Sequence, residues 1–193
     1  MAIMGDVTGD RIRLSALDPE RLSPEYALWM KDPDVLQFLA EPAGDYSPGA
    51  LREYVRRMNA SPADHFSGIF LNATGEHIGN IKIGSVHPYH RRADIGLLVG
   101  AKKMWGQGFG TEALFLATRY ALAELGLNKL YAGILVTNTA SRRAFSKVGY
   151  REVGIYERHW RLGDEYVDAV LVECCAPFRA ELSKRPKETG GRP

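Results

Sequence analysis

Apolar residues recur along the chain with two different periods, and these periods predict an alternation of strands and helices. The clearest helix covers residues 111–125, where apolar residues repeat at helical spacing and Gly126 follows as a stop signal. Short apolar runs bounded by turn residues predict strands. The predicted strands are residues 11–17, 66–71, 77–84, 93–99, 130–136, 150–155 and 166–174. The other predicted helices are residues 19–30, 34–39, 48–58 and 140–147.

The order of these elements predicts the architecture. We expect a mixed α/β fold, in which a twisted central sheet of about seven strands carries helices on both faces. Asp18 and Pro19 predict the start of the first helix, as N-cap and first-turn residue. Residues 73–75, Ala-Thr-Gly, predict a hairpin turn between two of the strands.

The composition indicates one globular domain. Of 193 residues, 45% are hydrophobic and 25% are charged, which is usual for a folded chain of this length. We expect a single domain over residues 1–183 and a disordered polar tail over residues 184–193. No apolar run reaches the roughly 18 residues of a membrane span, and no secretory signal is visible. The expectation is therefore a cytoplasmic protein that binds no membrane.

Charge and cysteine content exclude two further classes of partner. A formal net charge of +2 does not suggest the concentrated basic face of a nucleic-acid-binding protein. Adjacent Cys174 and Cys175 make a poor disulfide or metal pair, so free buried thiols are expected. No metal is expected elsewhere in the chain.

A glycine-rich turn joins the predicted strand at residues 93–99 to the helix at residues 111–125. Its sequence is Trp105-Gly106-Gln107-Gly108-Phe109-Gly110-Thr111. Alternate glycines leave backbone N–H groups uncovered where a helix begins, and the positive end of the helix dipole favours anions. The turn predicts a pyrophosphate-binding loop, with a tight turn that binds no ligand as the alternative. It lacks the Lys-Ser/Thr pair of a P-loop and the G-x-G-x-x-G spacing of dinucleotide-binding folds.

Several sequence blocks, in a fixed order, resemble one family. The glycine turn is similar to the Gln/Arg-x-x-Gly-x-Gly/Ala acyl-CoA motif of the GNAT superfamily, with Trp in the first position as is typical of the RimJ/RimL-like branch. Residues 138–150 (NTASRRAFSKVGY) resemble the family block N-x-x-S-x-R-x-x-x-K-x-G-F/Y, and residues 90–96 (HRRADIG) resemble the strand that enters the motif. With similar blocks at both ends, the resemblance covers residues 9–178.

The resemblance implies an acetyl-CoA-dependent N-acetyltransferase. In such enzymes the strand that enters the motif is splayed from its neighbour, and its backbone pairs with the pantetheine arm of acetyl-CoA. Acetyl-CoA is then a co-substrate that donates the acetyl group. The residues implied in binding it are Leu98, Val99, Trp105, Gly106, Gln107, Gly108, Phe109, Gly110, Thr111, Asn138 and Ser141.

Transfer of an acetyl group to an amine requires the amine to lose a proton. Asp94, on the strand that enters the glycine turn, is the candidate general base, and it matches an acidic position common in the family. The alternatives are an ion pair between Asp94 and Arg91 or Arg92, and His90 as the base instead. The backbone N–H of Val99 is the candidate donor to the oxyanion.

The leaving thiolate requires a proton, and here the chain departs from the family pattern. Many relatives place a Tyr at the position of Phe145, which has no proton to give. Ser141 is the candidate proton donor, with helix capping as its alternative role. A coenzyme A thiol has a low enough pKa that water is a further alternative.

The acceptor site is the least determined feature. The resemblance implies that Trp29, His90, Arg91 and Tyr166 contact the acceptor, together with other aromatic residues such as Phe38, Tyr46 and Trp160. The positive charge at residues 90–92 favours an amino-sugar nucleotide or another small-molecule amine. The alternatives are the N-terminus of a protein such as a ribosomal protein, and a non-catalytic acyl-CoA-binding module. A monomer or a homodimer is expected.

Overall fold

The computed structural model describes residues 6–39 and 44–178. The predicted tail at residues 184–193 lies outside these ranges. The strands are β1 (Val7–Thr8), β2 (Ile12–Ser15), β3 (His65–Leu71), β4 (His77–His87), β5 (Arg92–Val99), β6 (Lys129–Leu135), β7 (Arg151–Leu162) and β8 (Glu165–Cys175). The α-helices are α1 (Pro24–Trp29), α2 (Pro33–Leu36), α3 (Pro48–Ala60), α4 (Phe109–Arg119) and α5 (Thr139–Val148). Short 3₁₀ turns cover Pro19–Arg21 and Lys102–Met104.

All the strands belong to one mixed sheet, in the order β1-β2-β3-β4-β5-β6-β8-β7. Only β5 and β6 run parallel, and only three residue pairs join them, from Arg92–Lys129 to Asp94–Tyr131. The predicted fold class and the splayed sheet are confirmed. The sheet has one strand more than the seven predicted. The extra strand is β1, which was not predicted because its two residues carry no periodic signal in the sequence.

Helices cover both faces of the sheet around β4 and β5. On one face, the buried residues Ala113, Leu114 and Ala117 of α4 belong to the main core cluster, which includes Ile81 and Ile95. On the other face, α3 packs on β3, where the ring of Tyr54 meets that of Phe66 edge-on at 5.3 Å. The helices α4 and α3 therefore lie on opposite faces of the sheet that contains β5, the strand that enters the glycine turn.

The first predicted helix is interrupted. A 3₁₀ turn follows Asp18, which accepts a hydrogen bond from Glu20 N as an N-cap. A separate helix then begins at Pro24, with Ser23 Oγ accepting from Glu25 N at 3.2 Å. Proline disfavours helical geometry in the residue before it and lacks an N–H, so a continuous helix over residues 19–30 cannot form.

Two other sequence predictions need correction. The helix predicted at residues 111–125 ends as α4 at Arg119 and widens into a π-helical turn over Tyr120–Glu124. Cys174 is a buried free thiol, but Cys175 is exposed. The prediction of two buried thiols is wrong for Cys175 because successive residues of a strand point to opposite faces.

Candidate active site

The site is a gap in the sheet between β5 and β6. Beyond the Asp94–Tyr131 pair the two strands no longer pair, whereas β5 stays paired with β4 as far as Val99. A cavity of about 670 Å³ opens along this gap. Its lining includes residues of β5 on one side of the gap and residues of β6 and α5 on the other side. The divergence of two parallel strands therefore creates the binding space.

The backbone of β5 presents alternate residues to the gap. Gly100 N donates to Ile78 O of β4 at 3.0 Å, and Arg91 O accepts from Asn128 N just before β6. Because backbone groups of successive strand residues point to opposite sides, Leu97 and Val99 direct theirs toward the gap. Leu98 directs its backbone toward β4, so its contribution to the cavity is its side chain. The sequence analysis named Leu98 rather than Leu97 as a cofactor-binding residue, since the side-chain pattern does not show which strand lies on which side.

The glycine turn forms an open cradle at the start of α4. Gly106 has φ +74° and Gly108 has φ +83°, values that residues with a Cβ rarely adopt. Gly108 is the N-cap of α4, and no side chain caps the helix. The first N–H groups of α4 thus lack side-chain partners at the positive end of the helix dipole. A Cβ on Gly110 would lie 3.3 Å from the side chains of Leu97 and Val99, so the third glycine allows close packing of α4 on β5.

Side chains of the turn hold its shape. Trp105 Nε1 donates to Val99 O at 2.7 Å, and Gln107 Nε2 donates to Lys103 O at 2.6 Å. These bonds tie the turn to the end of β5 and to its own preceding residues. Trp105 and Gln107 therefore act as supports of the cradle in this geometry.

Arg11 is a part of the cradle that sequence reasoning missed. Its Nε donates to Glu112 Oε2 at 2.8 Å, and its Nη1 donates to Gln107 O at 2.9 Å. Its guanidinium lies 4.4 Å from the centre of the Phe109 ring, and Nη2 lies 3.5 Å from where a Cβ on Gly108 would be. Arg11 and Glu112 are 101 residues apart, so no local pattern in the sequence indicates this interaction.

These features fit acetyl-CoA. Uncapped N–H groups at a helix start, with no Cβ over them, suit the oxygens of a pyrophosphate. Backbone groups of Leu97 and Val99 along an open strand suit the amide groups of a pantetheine arm, as in strand addition. The described part of the chain contains no group of three His, Cys, Asp or Glu side chains placed to hold a metal ion.

Asp94 lies half-buried on the floor of the cavity. Its Oδ2 lies 3.0 Å from the position of a Cβ on Gly84, and Lys82 Cε lies 2.8 Å from the same point. Among residues 6–39 and 44–178, no ion pair joins Asp94 to Arg91 or Arg92. Arg92 Nη1 instead donates to Tyr131 Oη at 3.0 Å. Asp94 is thus placed to meet a ligand rather than a neighbouring arginine.

The start of α5 forms the opposite wall. Asn138 is the N-cap of α5, and its Oδ1 accepts from Ser141 N at 3.0 Å. Both residues line the cavity, as does Phe145, which is 3% exposed. Tyr150 packs edge-on against Phe145, but its hydroxyl is bound to Thr118 Oγ1 and burial raises its pKa above the ordinary value. Tyr150 therefore does not replace the missing Tyr as a proton donor.

Four of the residues predicted to contact the acceptor do not line the cavity: Trp29, His90, Arg91 and Tyr166. Trp29 is 8% exposed and packs in the core, with its ring 5.0 Å from that of His77. The ring of His90 lies 4.3 Å from that of His87, tilted by 38°, in an exposed turn that also holds Arg91. Tyr166 is 54% exposed and lies under the guanidinium of Arg158. The sequence showed that these residues are close to the right strands, but not which face each one occupies.

Other side chains line the cavity instead. The aromatic residues there include Tyr26, Phe38, Tyr46, Tyr54 and Trp160, and the charged ones are Asp45, Lys82 and Asp94. Phe38, Tyr46 and Trp160 belong to the set expected from the sequence. Lys82 and Asp45 were missed, because an isolated charge on a strand or in a loop usually indicates a solvated surface.

A buried polar pair adjoins this lining. His77 Nε2 lies 2.9 Å from Gly79 O, an acceptor, so Nε2 carries the proton. The atom of Asn80 that faces it at 3.0 Å is therefore the amide oxygen. Burial lowers the pKa of His77 below its ordinary value, which keeps the ring neutral near pH 7.

Comparisons with known proteins agree with this geometry. The family model described as an acetyltransferase (GNAT) domain matches residues 11–151. The chain is 28% identical over 171 residues to the uncharacterised N-acetyltransferase p20 of Bacillus licheniformis, which covers 84% of this chain and 93% of that protein. It is 32% identical over 92 residues to the uncharacterised N-acetyltransferase YoaA of Bacillus subtilis (strain 168), over 48% of this chain and 51% of that protein. That second match thus spans about half of YoaA.

Solved structures share the fold. Mycobacterium smegmatis RimJ in complex with CoA-disulfide matches with a TM-score of 0.73 and 24% identity, over 86% of this chain and 82% of that chain. Spermidine N-acetyltransferase from Vibrio cholerae in complex with CoA and spermine matches with a TM-score of 0.76 and 19% identity, over 86% of this chain and 95% of that chain. Within the described residues, the helices are all too short or too polar to span a membrane.

Proposed function

We propose that this chain, which belongs to the acetyltransferase (GNAT) family, transfers the acetyl group of acetyl-CoA to the primary amine of a small molecule. The observation that carries the proposal is the gap between β5 and β6. The gap runs along β5, the strand that precedes the cradle of α4, and it opens a cavity of about 670 Å³ with a carboxylate on its floor. The residues of the cradle are not part of the cavity lining. A cavity of this size is in the range of small-molecule sites.

The chain binds acetyl-CoA through backbone groups at two places. The uncapped N–H groups at Gly108 and the first turn of α4 bind the pyrophosphate. The backbone groups of Leu97 that face the gap pair with the pantetheine arm, whereas Val99 O already accepts from Trp105 Nε1. When bound, acetyl-CoA supplies a thioester as the acetyl donor. The Val99 N–H is the donor for the carbonyl oxygen, and one such donor contributes about 3 kcal/mol to the transition state.

Asp94 prepares the acceptor amine. An ammonium group has no lone pair, so it must lose a proton before it attacks the carbonyl carbon. Asp94 attracts the ammonium group and accepts the proton, directly or through a water molecule. The amine nitrogen then forms a bond to the carbonyl carbon, and the carbon–sulfur bond breaks in the same ternary complex.

Ser141 assists the departure of the thiolate. It lies in the first turn of α5, on the opposite side of the gap from Asp94, and lines the cavity. Its hydroxyl donates a hydrogen bond to the sulfur and passes on to it the second proton, which the nitrogen releases as the amide forms. Ser141 thus takes the role that Phe145 cannot fill. Asn138 holds the N-terminal turn of α5 by accepting the hydrogen bond from Ser141 N, and this positions the serine.

Two observations support a small amine as the acceptor. Aromatic side chains from several elements, among them Tyr26, Tyr54 and Trp160, surround the acceptor side of the cavity. Cationic amines bind well against such rings. One structural neighbour is a spermidine acetyltransferase, which also supports a small amine as the acceptor.

Turnover of acetyl-CoA tests the proposal. Purified protein is incubated with acetyl-CoA and a panel of primary amines, with a short acidic peptide as the protein-like alternative. Release of free thiol and the mass of the acetylated product are measured. We expect thiol release that depends on an amine, and a loss of at least about 100-fold for Asp94→Asn.

A matched variant and two outcomes make the test decisive. Asp164→Asn removes a carboxylate that is fully exposed in the β7–β8 turn, and it is expected to keep wild-type turnover. Binding of acetyl-CoA without turnover of any amine or peptide would indicate a non-catalytic acyl-CoA-binding module. Turnover of the peptide alone would indicate a protein acceptor.

A further inference from the structure

The floor of the acceptor cavity carries one charge of each sign on neighbouring strands. The register pairs Gly84 of β4 with Asp94 of β5, and Lys82 with Gly96. Side chains of paired residues share a face of the sheet, and Lys82, Asp94 and Gly96 all line the cavity. A Cβ on Gly96 would meet nothing within 4 Å. The space above Gly96 is therefore open, with Lys82 beside it and Asp94 next along the strand.

Lys82 has bonding capacity that the protein does not use. Its ion pair with Asp64 Oδ1 has a length of 4.0 Å, which is long for such a contact, and its side chain is 34% exposed. Asp64 itself accepts hydrogen bonds from Ser61 Oγ and Ser85 N. An ammonium group has three N–H donors. Lys82 is also the one cationic residue among the described residues that line the cavity.

The two carboxylates of the cavity lining, Asp45 and Asp94, differ in their hydrogen bonding within the protein. Asp45 accepts a hydrogen bond from Ser47 N at 2.8 Å, and this bond lowers the pKa of its carboxyl. Asp45 is thus engaged in the turn before α3. Among the described residues, Asp94 has no such partner. Its Oδ2 and Asp64 Oδ1 each lie 3.0 Å from the position of a Cβ on Gly84, and Lys82 Cε lies 2.8 Å from the same point. The cavity therefore offers one carboxylate for an amine and one ammonium for an anion, a short distance apart.

We propose that Lys82 determines the acceptor class, by binding an anionic group, a carboxylate or a phosphate, of an amine whose nitrogen lies at Asp94. This inference rests on the proposed function, since it assigns the acceptor of the same site. The anionic group supplies the acceptors that the three donors of Lys82 lack. A second cationic group at that position meets repulsion from Lys82 instead. The anion-recognising charge thus lies on β4, and not at residues 90–92, where the sequence analysis placed it.

Three amines of equal chain length test the inference. Butylamine, 4-aminobutyrate and 1,4-diaminobutane differ only in a neutral, anionic or cationic far end. For the wild type we expect kcat/KM to be about tenfold higher for 4-aminobutyrate than for butylamine, and lowest for 1,4-diaminobutane. Ethanolamine and O-phosphoethanolamine form a second pair, which separates preference for a phosphate from preference for a carboxylate.

Variants of Lys82 supply the decisive comparison. In Lys82→Met the ratio of kcat/KM for 4-aminobutyrate over butylamine should fall to about one. In Lys82→Glu the order should reverse in favour of 1,4-diaminobutane. Lys31→Met, which removes an exposed lysine that does not line the cavity, should keep the wild-type ratios. If Lys82→Glu fails to fold, Lys82→Met alone is sufficient.

The outcomes separate the two proposals. If the wild type acetylates these amines without preferring the anionic ones, or if Lys82→Met keeps the preference, the role of Lys82 is overturned while the proposed function stands. A wild-type preference for 1,4-diaminobutane also overturns it. If the wild type acetylates none of the five amines, the proposed small-molecule acceptor is itself contradicted.

Discussion

Replacement of Gly108, the N-cap residue of α4, by glutamate tests whether the cradle binds the pyrophosphate of acetyl-CoA. Gly108 has φ +83°, and a residue with a Cβ in this conformation costs roughly 1–2 kcal/mol. A Cβ there would meet only Arg11 Nη2, at 3.5 Å, which is an ordinary contact. The substitution therefore adds backbone strain and a carboxylate, without a steric clash. The melting temperature should fall by about 2–4 °C per kcal/mol of this strain.

The larger effect is on binding of acetyl-CoA. A carboxylate about 5 Å from a phosphate charge costs about 3 kcal/mol at an effective dielectric constant of 20, which weakens binding by more than about 100-fold. At 100 times its dissociation constant, a ligand stabilises the wild type by about 2.7 kcal/mol, or roughly 5–11 °C. The same concentration should stabilise Gly108→Glu by only about 0.4 kcal/mol, or roughly 1 °C.

Gly126→Glu is the matched control, measured by thermal shift with acetyl-CoA, CoA and NADH. Gly126 has φ +65°, and a Cβ there would meet nothing within 4 Å. Its glutamate therefore adds the same strain and the same charge, but far from the cradle in sequence and outside the cavity lining. It should lower the melting temperature equally and keep the full shift with acetyl-CoA. An undiminished shift in Gly108→Glu, or an equal loss in both variants, would refute the assignment of the cradle.

Three further predictions follow from the contacts described above. Ser141→Ala should lower kcat by about tenfold or more while the KM for acetyl-CoA stays constant, as measured by thiol release in steady state. Burial lowers the folded-state pKa of His77, so its contribution to the free energy of unfolding is complete above about pH 6.5 and is lost as the pH falls below that value. Urea unfolding at pH 5 and 7.5 should show a smaller pH dependence for His77→Gln. In Gly100→Ala the new Cβ would lie 2.1 Å from the Trp29 ring, so the free energy of unfolding should fall by about 1–3 kcal/mol.

Control substitutions are available for two of these predictions. Ser146→Ala, on an exposed position of α5, should leave kcat unchanged. Gly49→Ala, where a Cβ would meet nothing within 4 Å, should not destabilise the protein. A Ser141→Ala enzyme with full kcat would exclude the serine as proton donor and leave water as the source. An equal pH dependence in wild type and His77→Gln would contradict the assignment of a neutral buried His77.

The cradle could be predicted from the sequence because it is built from local features. Alternating glycines between a strand and a helix require the same backbone whatever surrounds them, and Gly106 and Gly108 adopt it. Asn138 as a helix cap is local in the same sense, since its Oδ1 reaches an N–H three residues away. Arg11, which braces the same cradle, could not be found in this way because its partner Glu112 is distant in the sequence.

The acceptor side could not be predicted because it depends on register and on packing between elements. Trp29 is aromatic and close to the right strand, yet it fills the space over Gly100 in the core. Lys82 gives no signal in the sequence, but the pairing of β4 with β5 places it beside Gly96 on the cavity floor. A shift of one residue in that register would turn Lys82 and Asp94 away from each other.

By itself, the sequence determined most of the order of strands and helices and the glycine cradle, because these rest on hydrophobic period and local backbone conformation. The block around Asn138 was identified by its resemblance to the family. The tertiary structure alone decided where β5 and β6 separate, which backbone groups of β5 face the gap, and which side chains share the cavity. Those features depend on strand pairing between distant segments of the chain. A sequence specifies what each segment can form, and the packing of segments specifies what they jointly bind.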